Sequence, residues 1–260
     1  MEGKAAGMVK ENSGALAEPG MKATFVLVHG AWQGGWCWKK LKPLLIAAGC
    51  EVHSPTLTGL GERAHLASPA VNLDTHVEDV IKVLEFEDLR NVILVGHSYA
   101  GMVITGVAAK APQRLAQIVY LDAFLPEHGK SLNDYSVGAA GYDENVRNNG
   151  DGWRLPFAGT LTLSMLGITD ANDVAWMAPR MVDQPYQTFT QAVSIAADAA
   201  KDVRRVYLLS SERPHYLEAA KRARAQGFHA VAVPGAGHDV MVTQPRELAA
   251  ALLSLVQTTV

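Results

Sequence analysis

The chain has 260 residues, of which 48% are hydrophobic and 19% charged, with a formal net charge of −3 at neutral pH. This balance is typical of a globular protein with one main domain. The weak negative charge argues against nucleic acid or an anionic membrane surface as a partner. No apolar run approaches the roughly 18 residues that a membrane-spanning helix requires, so we expect no membrane partner.

The N-terminal segment, residues 1–22, mixes Lys, Glu, Gly, Ser and Pro and lacks the apolar core of a signal peptide. We predict a disordered leader here, followed by a single domain over residues 23–260. The only two cysteines, Cys37 and Cys50, offer no disulfide framework, which suits a reducing compartment. A cytoplasmic location is the default expectation.

Short β-rich runs alternate with longer helical patterns along the chain, which predicts an α/β fold with a mostly parallel six-stranded sheet and helices on both faces. The predicted strands are Ala23–His29, Glu51–Pro55, Asn91–Gly96, Gln117–Asp122, Arg204–Leu209 and His229–Val233. The predicted helices are Gly35–Ala48, Leu73–Leu84, Tyr99–Ala111, Tyr216–Gln226 and Pro245–Val256. Ligands of such sheets bind beyond the carboxyl ends of the strands, so we expect functional residues in the loops that follow them.

This alternation stops between Pro126 and Lys201. A stretch of about 75 residues without secondary structure is too long for a loop in a compact domain. The stretch also carries more large apolar side chains than a solvated excursion would need, among them Trp153 and Trp176. We therefore predict an inserted helical cap at about residues 127–201.

The loop after the first strand, His29–Trp36, is rich in glycine and opens a helix. One interpretation is a tight turn held by aromatic packing. Another is a loop that points backbone N–H groups at a developing oxyanion, and we assign those two donors to the amides of Ala31 and Tyr99. The loop matches neither G-x-x-x-x-G-K-[ST] nor G-x-G-x-x-G, so nucleotide binding is not expected.

Residues 91–101 indicate a buried strand, a tight turn of small residues and the start of a helix, with Ser98 at the apex of the turn. A sharp strand-to-helix turn exposes a nucleophile, and the usual pattern for it is G-x-S-x-G. Here Gly96 fits, the last place is Ala100, and Gly101 follows one step later. The alternative is an ordinary strand–helix loop with a capping serine.

The loop after the last predicted strand places His238 between glycines and the final helix. A general base for Ser98 is expected in this position, because serine hydrolases of α/β architecture order their triad as Ser, acid and His. An isolated histidine in a core or capping role is the alternative. No His or Cys spacing resembles a zinc site, and we expect neither a metal nor a cofactor.

Together, the Ser98 turn, the His-Gly-Ala-Trp loop, the segment Leu41–Leu45 and the Gly-Ala-Gly-His segment resemble the α/β-hydrolase family, in the branch that contains plant methylesterases and hydroxynitrile lyases. The resemblance covers roughly residues 23 to 257. It implies an α/β-hydrolase fold, a Ser nucleophile, a His base, an acid, a two-amide oxyanion hole and cofactor-free hydrolysis of small carboxylic esters. Where related lyases carry Thr and Lys, this chain has Gly30 and Asp239, which disfavours cyanohydrin cleavage.

The residue that supplies the acid of the triad is less clear from the sequence than the other two members. The family's usual aspartate falls at Arg213, which cannot orient a histidine. Two carboxylates could replace it, Glu212 one residue earlier and Asp122 at the end of the fourth predicted strand. We favour Asp122, because a carboxylate there can reach the imidazole and would otherwise be an unpaired charge in an apolar run.

These residues predict a carboxylesterase that acts on a small-molecule ester through an acyl-enzyme intermediate. We expect Trp32, Tyr99, Phe124, Trp153 and Trp176 to wall an apolar pocket. Two other functions remain open: a carbon–carbon lyase similar to hydroxynitrile lyases, and a ligand-binding protein with a vestigial triad. The sequence leaves the oligomeric state undetermined, with a homodimer as one alternative.

Overall fold

The structure is a computed structural model that describes residues 23–195, 199–233, 235 and 237–256. The predicted leader, residues 1–22, lies outside the described residues.

Six parallel strands form the central sheet. They are β1 (Thr24–Val28), β2 (Glu51–His53), β3 (Val92–His97), β4 (Leu115–Leu121), β7 (Arg204–Leu209) and β8 (His229–Ala232). Their spatial order is β2-β1-β3-β4-β7-β8, and every neighbouring pair is parallel. This arrangement confirms the predicted six-stranded parallel sheet. The strand order reverses between β1 and β3, so the loops that follow these two strands face the crevice where ligands of open α/β sheets bind.

Nine α-helices are described, and those outside the cap segment pack on the two faces of the sheet. They are α1 (Lys42–Ala47), α2 (Leu73–Phe86), α3 (Ala100–Lys110), α4 (Ala139–Asn149), α5 (Ala171–Met177), α6 (Gln187–Thr190), α7 (Pro214–Ala225), α8 (Val240–Thr243) and α9 (Pro245–Val256). Successive residues of β1 point into different hydrophobic cores. Val26 and Val28 belong to the core formed with α2, α3 and α7. Phe25 and Leu27 join the cluster of α1, α8 and α9. This alternation is the two-residue period of a strand covered on both faces.

One predicted helix is divided in the structure. The prediction ran from Gly35 to Ala48, whereas the chain forms a 3₁₀ turn at Gly35–Lys39 and begins α1 only at Lys42. Pro43 lies in the first turn of α1. A continuous helix would place the proline ring against the carbonyl four residues earlier, and proline has no N–H to donate, so the helix restarts there.

The cap segment, residues 127–201, lies between β4 and β7. It contains α4, α5 and α6 together with a two-stranded antiparallel ladder of β5 (Arg154–Leu155) and β6 (Gln184–Pro185). It also contacts the loop that carries His238: the amide of Asp239 donates to the carbonyl of Leu166 over 3.1 Å. A Cβ at Gly167 would lie 2.8 Å from the Cα of Gly237, so the two backbones touch.

The packing around Gly101 explains why the second glycine of the Ser98 turn lies one position later than in the usual pattern. A Cβ at this position would lie 1.9 Å from the carbonyl oxygen of Phe124. Helix α3 therefore packs directly on the backbone that follows β4. Because the close approach occurs at position 101, a methyl group is accommodated at Ala100.

We predict that Gly101→Ala lowers the free energy of unfolding by at least about 3 kcal/mol, because the new methyl meets backbone that cannot move aside. Gly141→Ala in α4 is the matched control, since nothing lies within 4 Å of its added Cβ. There the change should be neutral or should stabilise by roughly 0.5 to 1 kcal/mol. Denaturant unfolding followed by circular dichroism measures both, and equal effects at the two positions would contradict the packing argument.

Candidate active site

A cavity of about 270 Å³ lies between the cap segment and the carboxyl ends of the central strands. Its lining combines the polar side chains of Ser98, Arg213 and His238 with a larger set of apolar and aromatic groups. The latter are Trp32, Tyr99, Phe124, Leu132, Tyr142, Leu161, Met165, Leu166, Phe189 and Tyr216. A mostly apolar hollow with a few convergent polar groups is the usual form of a small-molecule site.

Ser98 occupies the bend between β3 and α3 with a left-handed backbone, φ 57°. Its amide donates to the carbonyl of Leu121 over 3.2 Å, and its carbonyl accepts from the amides of Gly101 and Phe124, each over 3.1 Å. A non-glycine residue in this region of φ is strained, and it persists only where the surroundings hold it. Hydrogen bonds to the next strand and to the helix therefore keep Ser98 at the apex of the turn.

Asp122 and His238 form the buried hydrogen-bonded pair of the site. The Nδ1 atom of His238 lies 2.7 Å from Oδ2 of Asp122. The carboxylate also accepts from the amides of Ser210 and Ser211, both over 3.1 Å, and from the Ser211 hydroxyl over 2.5 Å. Asp122 is fully buried, and its φ of 42° marks a second strained bend at the end of β4. Glu212, the alternative acid, is exposed at the surface.

The electrostatics keep Asp122 ionised. Burial opposes the charged form, but the hydrogen bonds from His238 and from the Ser210–Ser211 turn outweigh it, and together they hold the pKa of Asp122 below its ordinary value. A carboxylate that faces Nδ1 fixes the imidazole with its Nε2 atom toward the cavity.

Tyr216 lies between the serine and the histidine, an arrangement that the sequence analysis did not foresee. The tyrosine hydroxyl oxygen is 3.1 Å from Oγ of Ser98 and 3.3 Å from Nε2 of His238. The described residues contain no direct hydrogen bond between Ser98 and His238. The sequence offered only a weak signal: Tyr216 belongs to the first turn of α7, just beyond the carboxyl end of β7, where the family's acid usually lies.

The backbone amides of Ala31 and Tyr99 flank the Ser98 turn, and neither donates a hydrogen bond to another described residue. The next amide, that of Trp32, is instead used by the Gln184 side chain over 2.9 Å. Trp32 has a φ of 60°, which turns the loop so that consecutive amides serve different partners. Both residues line the cavity, and each has a backbone donor that is not used by another described residue.

The predicted pocket residues divide into two groups. Trp32, Tyr99 and Phe124 line the cavity, whereas Trp153 and Trp176 are absent from its described lining. Trp176 packs edge-on against Trp36, with ring centroids 5.3 Å apart, and Trp153 lies under the guanidinium of Arg154. The expectation for these two tryptophans was wrong, because both rings find partners elsewhere on the cap segment and the core.

A second buried polar group lies behind His238. Asp239 is fully buried, accepts from Nε2 of Gln33 over 2.7 Å, and has its Oδ1 atom 3.6 Å from Nε2 of His97. Burial raises the pKa of Asp239 to about 6. Burial also lowers the pKa of His97 well below its usual value, so this imidazole is neutral.

His97, His238 and Asp239 are the described residues whose ligand-type atoms come within 4.8 Å of one another, the spacing of a metal site. Two of their nitrogen atoms are engaged in hydrogen bonds, whereas Nδ1 of His97 has no partner among the described residues. Nε2 of His97 donates to the carbonyl of His238, and Nδ1 of His238 faces Asp122. These two nitrogen atoms therefore take part in hydrogen bonds that a bound cation would have to break.

The chain matches the model of the alpha/beta hydrolase family over residues 25–251. It is 39% identical over 246 residues to a carbendazim hydrolyzing esterase from Nocardioides sp. (strain SG-4G), covering 90% of this chain and 99% of that protein. It is 30% identical over 256 residues to salicylic acid-binding protein 2 from Nicotiana tabacum, covering 89% and 96%. The chain therefore belongs to the alpha/beta hydrolase family, as the sequence motifs predicted.

A solved structure supports the assignment of the α/β-hydrolase fold. The extracellular alpha/beta-hydrolase from a Paenibacillus species superposes with a TM-score of 0.76 at 22% identity, covering 89% of this chain and 98% of that one. In the part of the chain that the structure describes, no helix is both long and apolar enough to cross a membrane.

We predict that Asp122→Asn lowers kcat by several orders of magnitude, because an amide at this position neither stabilises an imidazolium nor fixes its tautomer. Glu212→Gln should leave kcat within about twofold, since its side chain is exposed and removed from His238. Steady-state ester hydrolysis by the two variants, measured side by side, tests the assignment. The opposite ranking would transfer the role of the acid to Glu212.

Asp239 yields a prediction about stability and pH. With a folded pKa of about 6 against an ordinary 3.8, the folded protein binds more protons at this carboxyl than the unfolded chain does between these values. Stability therefore falls as pH rises through this window. Asp239→Asn should flatten that slope, and Asp88→Asn, at a side chain 71% exposed, should retain it. Unfolding free energies from about pH 4 to about pH 7 measure both, and a slope unchanged by Asp239→Asn would contradict the burial argument.

Proposed function

We propose that this protein is a carboxylic ester hydrolase that forms an acyl-enzyme on Ser98. The observation that carries the proposal is the buried Asp122–His238 pair, 2.7 Å apart, which lies with the strained Ser98 turn in the lining of one mostly apolar cavity and is linked to Ser98 through the Tyr216 hydroxyl. The esterase among the relatives supports the same reaction class.

The proposed reaction begins when Oγ of Ser98 turns from the Tyr216 hydroxyl toward Nε2 of His238. His238 takes the serine proton while the Oγ–C bond forms at the ester carbonyl. The negative charge that develops on the carbonyl oxygen is held by the amides of Ala31 and Tyr99. Asp122 stabilises the imidazolium.

The tetrahedral intermediate then collapses. The bond between the carbonyl carbon and the alcohol oxygen breaks, and His238 returns its proton to that oxygen, so that the alcohol departs neutral. A water molecule repeats the sequence on the acyl-enzyme: it gives a proton to His238, attacks the carbonyl, and releases the carboxylic acid with Ser98 restored.

The size and lining of the cavity favour small, apolar esters. Its volume of about 270 Å³ lies just below the usual range for ligand pockets, which begins near 300 Å³. Aromatic rings dominate one wall: Phe189 packs edge-to-face against Trp32, with ring centroids 5.6 Å apart, and at a tilt of 31° against Tyr99, with centroids 5.5 Å apart. We infer that the acyl or alcohol portion of the substrate packs against these rings.

The structure supports hydrolysis over cyanohydrin cleavage. A side chain at Gly30 is excluded, because its Cβ would lie 2.9 Å from Nδ1 of His97 and 3.1 Å from Cβ of Ser98. The position after His238 is occupied by a buried carboxyl, Asp239, that would repel a cyanide leaving group. Both features disfavour the lyase alternative.

We expect Ser98→Ala to abolish turnover of short-chain chromogenic esters, with a loss of several orders of magnitude in kcat, because the nucleophile is removed. The variant should keep the circular dichroism of the wild type and should not react with a fluorophosphonate probe. Aldehyde or ketone release by the wild type without ester hydrolysis would favour the lyase. Ligand binding with neither turnover nor labelling would favour a binding protein.

A further inference from the structure

Among the residues that the structure describes, Tyr216 is the one whose side chain is within hydrogen-bond distance of both reacting side chains, its hydroxyl oxygen being 3.1 Å from the serine Oγ and 3.3 Å from Nε2 of His238. The residue is 3% exposed, and its ring is held edge-on by Phe124 at a centroid distance of 5.6 Å. A buried hydroxyl fixed at the meeting point of nucleophile and base is positioned to act in the reaction.

The orientation of the rings argues against a proton relay through Tyr216. The tyrosine and imidazole rings are parallel within 8°, with centroids 4.8 Å apart. Two rings lying side by side in one plane cannot approach so closely, so the rings are stacked with an offset. The hydroxyl thus lies over the face of the imidazole, whereas the lone pair of Nε2 that takes a proton lies in the ring plane. That lone pair stays available to Ser98 and to the departing alcohol.

The hydroxyl lies beside the place where the alcohol oxygen must leave. In the tetrahedral intermediate, this oxygen is bonded to the same carbon as Oγ and must approach Nε2 to receive its proton. A donor near both atoms is therefore within reach of it. We propose that the Tyr216 hydroxyl is a catalytic hydrogen-bond donor to the leaving-group oxygen, an inference that rests on the proposed ester hydrolysis.

The step balances without an added reactant. The bond between the carbonyl carbon and the alcohol oxygen breaks, and its electron pair stays on that oxygen. The oxygen takes the proton from Nε2 of His238 and accepts a hydrogen bond from Tyr216, which keeps its own proton throughout. Burial raises the pKa of Tyr216 above its ordinary value, which preserves the phenol as a neutral donor.

The relocation of the acid makes room for this donor. The carboxylate of the turn after β7, Glu212, is exposed at the surface, and Ser210 and Ser211 of this turn instead donate hydrogen bonds to Asp122. Helix α7 begins at Pro214 directly after that turn and lays Tyr216 over the imidazole. Arg213 thus occupies the position of the family's usual acid, and the helix that begins beside it places the Tyr216 hydroxyl next to the reacting atoms.

The test compares Tyr216→Phe with the wild type on esters of a single acid that carry different alcohols. Loss of the donor should lower kcat/KM for a methyl or ethyl ester by roughly tenfold or more, because a basic alkoxide needs help to leave. The value for the 4-nitrophenyl ester of that acid should change by less than about threefold, since a weakly basic phenolate leaves without a donor. The dependence of log kcat/KM on the pKa of the alcohol therefore becomes steeper in the variant.

Tyr120→Phe is the matched control. It also removes a buried tyrosine hydroxyl, one that shares a 2.8 Å hydrogen bond with Thr105 away from the cavity, and should leave the leaving-group dependence as in the wild type. Labelling by a fluorophosphonate, whose leaving group is fluoride, shows that each variant keeps a working Ser98–His238 pair. Replacement of Tyr216 by 3-fluorotyrosine, a stronger donor, should flatten the dependence and gives a second variant that preserves the ring.

Equal losses of kcat/KM on all esters would overturn the proposal, because they would make Tyr216 a group that only positions His238. A general rise in activity would also overturn it, since the hydroxyl would then merely compete with His238 for Ser98. Both results leave ester hydrolysis by the wild type intact. Absence of hydrolysis by the wild type itself would instead contradict the proposed function.

Discussion

The buried hydrogen bond between Asp122 and His238 is the contact on which the site depends. It is possible only because β4 ends in a strained bend next to the strained bend of Ser98 on β3. Such conformations cost about 1 to 3 kcal/mol each and survive where the surrounding structure over-determines them. Here the two bends are joined directly, since the amide of Ser98 donates to Leu121 and its carbonyl accepts from Phe124. Ser98 and Asp122, the proposed nucleophile and acid, are thus held by one rigid edge of the sheet.

The position of Asp122, the proposed acid, shapes the rest of the hydrogen-bond network. Because the carboxylate comes from β4, the turn after β7 contributes donors instead of an acceptor, and the carboxylate is saturated by Ser210, Ser211 and His238. Polar groups buried this completely are stabilising only when each has a partner. The contrast is Asp239, whose Oδ1 atom has no hydrogen-bond partner among the described residues and whose pKa is raised by burial to about 6.

Much of this architecture could be predicted from the sequence. The apolar runs predicted the six strands. The loops around Ser98 and His238 indicated the chemistry, because glycines beside a single polar residue directly after a buried strand are typical of a catalytic loop. Tyr216 could not be found in this way: its role depends on contact with a serine 118 positions away, and nothing in its local sequence encodes that distance. The prediction that Trp153 and Trp176 line the pocket was wrong for a related reason, since an indole packs equally well against a cavity or against another ring such as Trp36.

The contact between the cap segment and the His238 loop has a consequence for how this family can diversify. The amide of Asp239 is bound by the carbonyl of Leu166, and Gly167 touches Gly237. Replacing the whole insertion would remove backbone contacts that support the loop of His238, the proposed general base. Evolution, or a protein engineer exchanging such insertions between homologues, must therefore retain this short stretch of backbone while varying the aromatic walls around it.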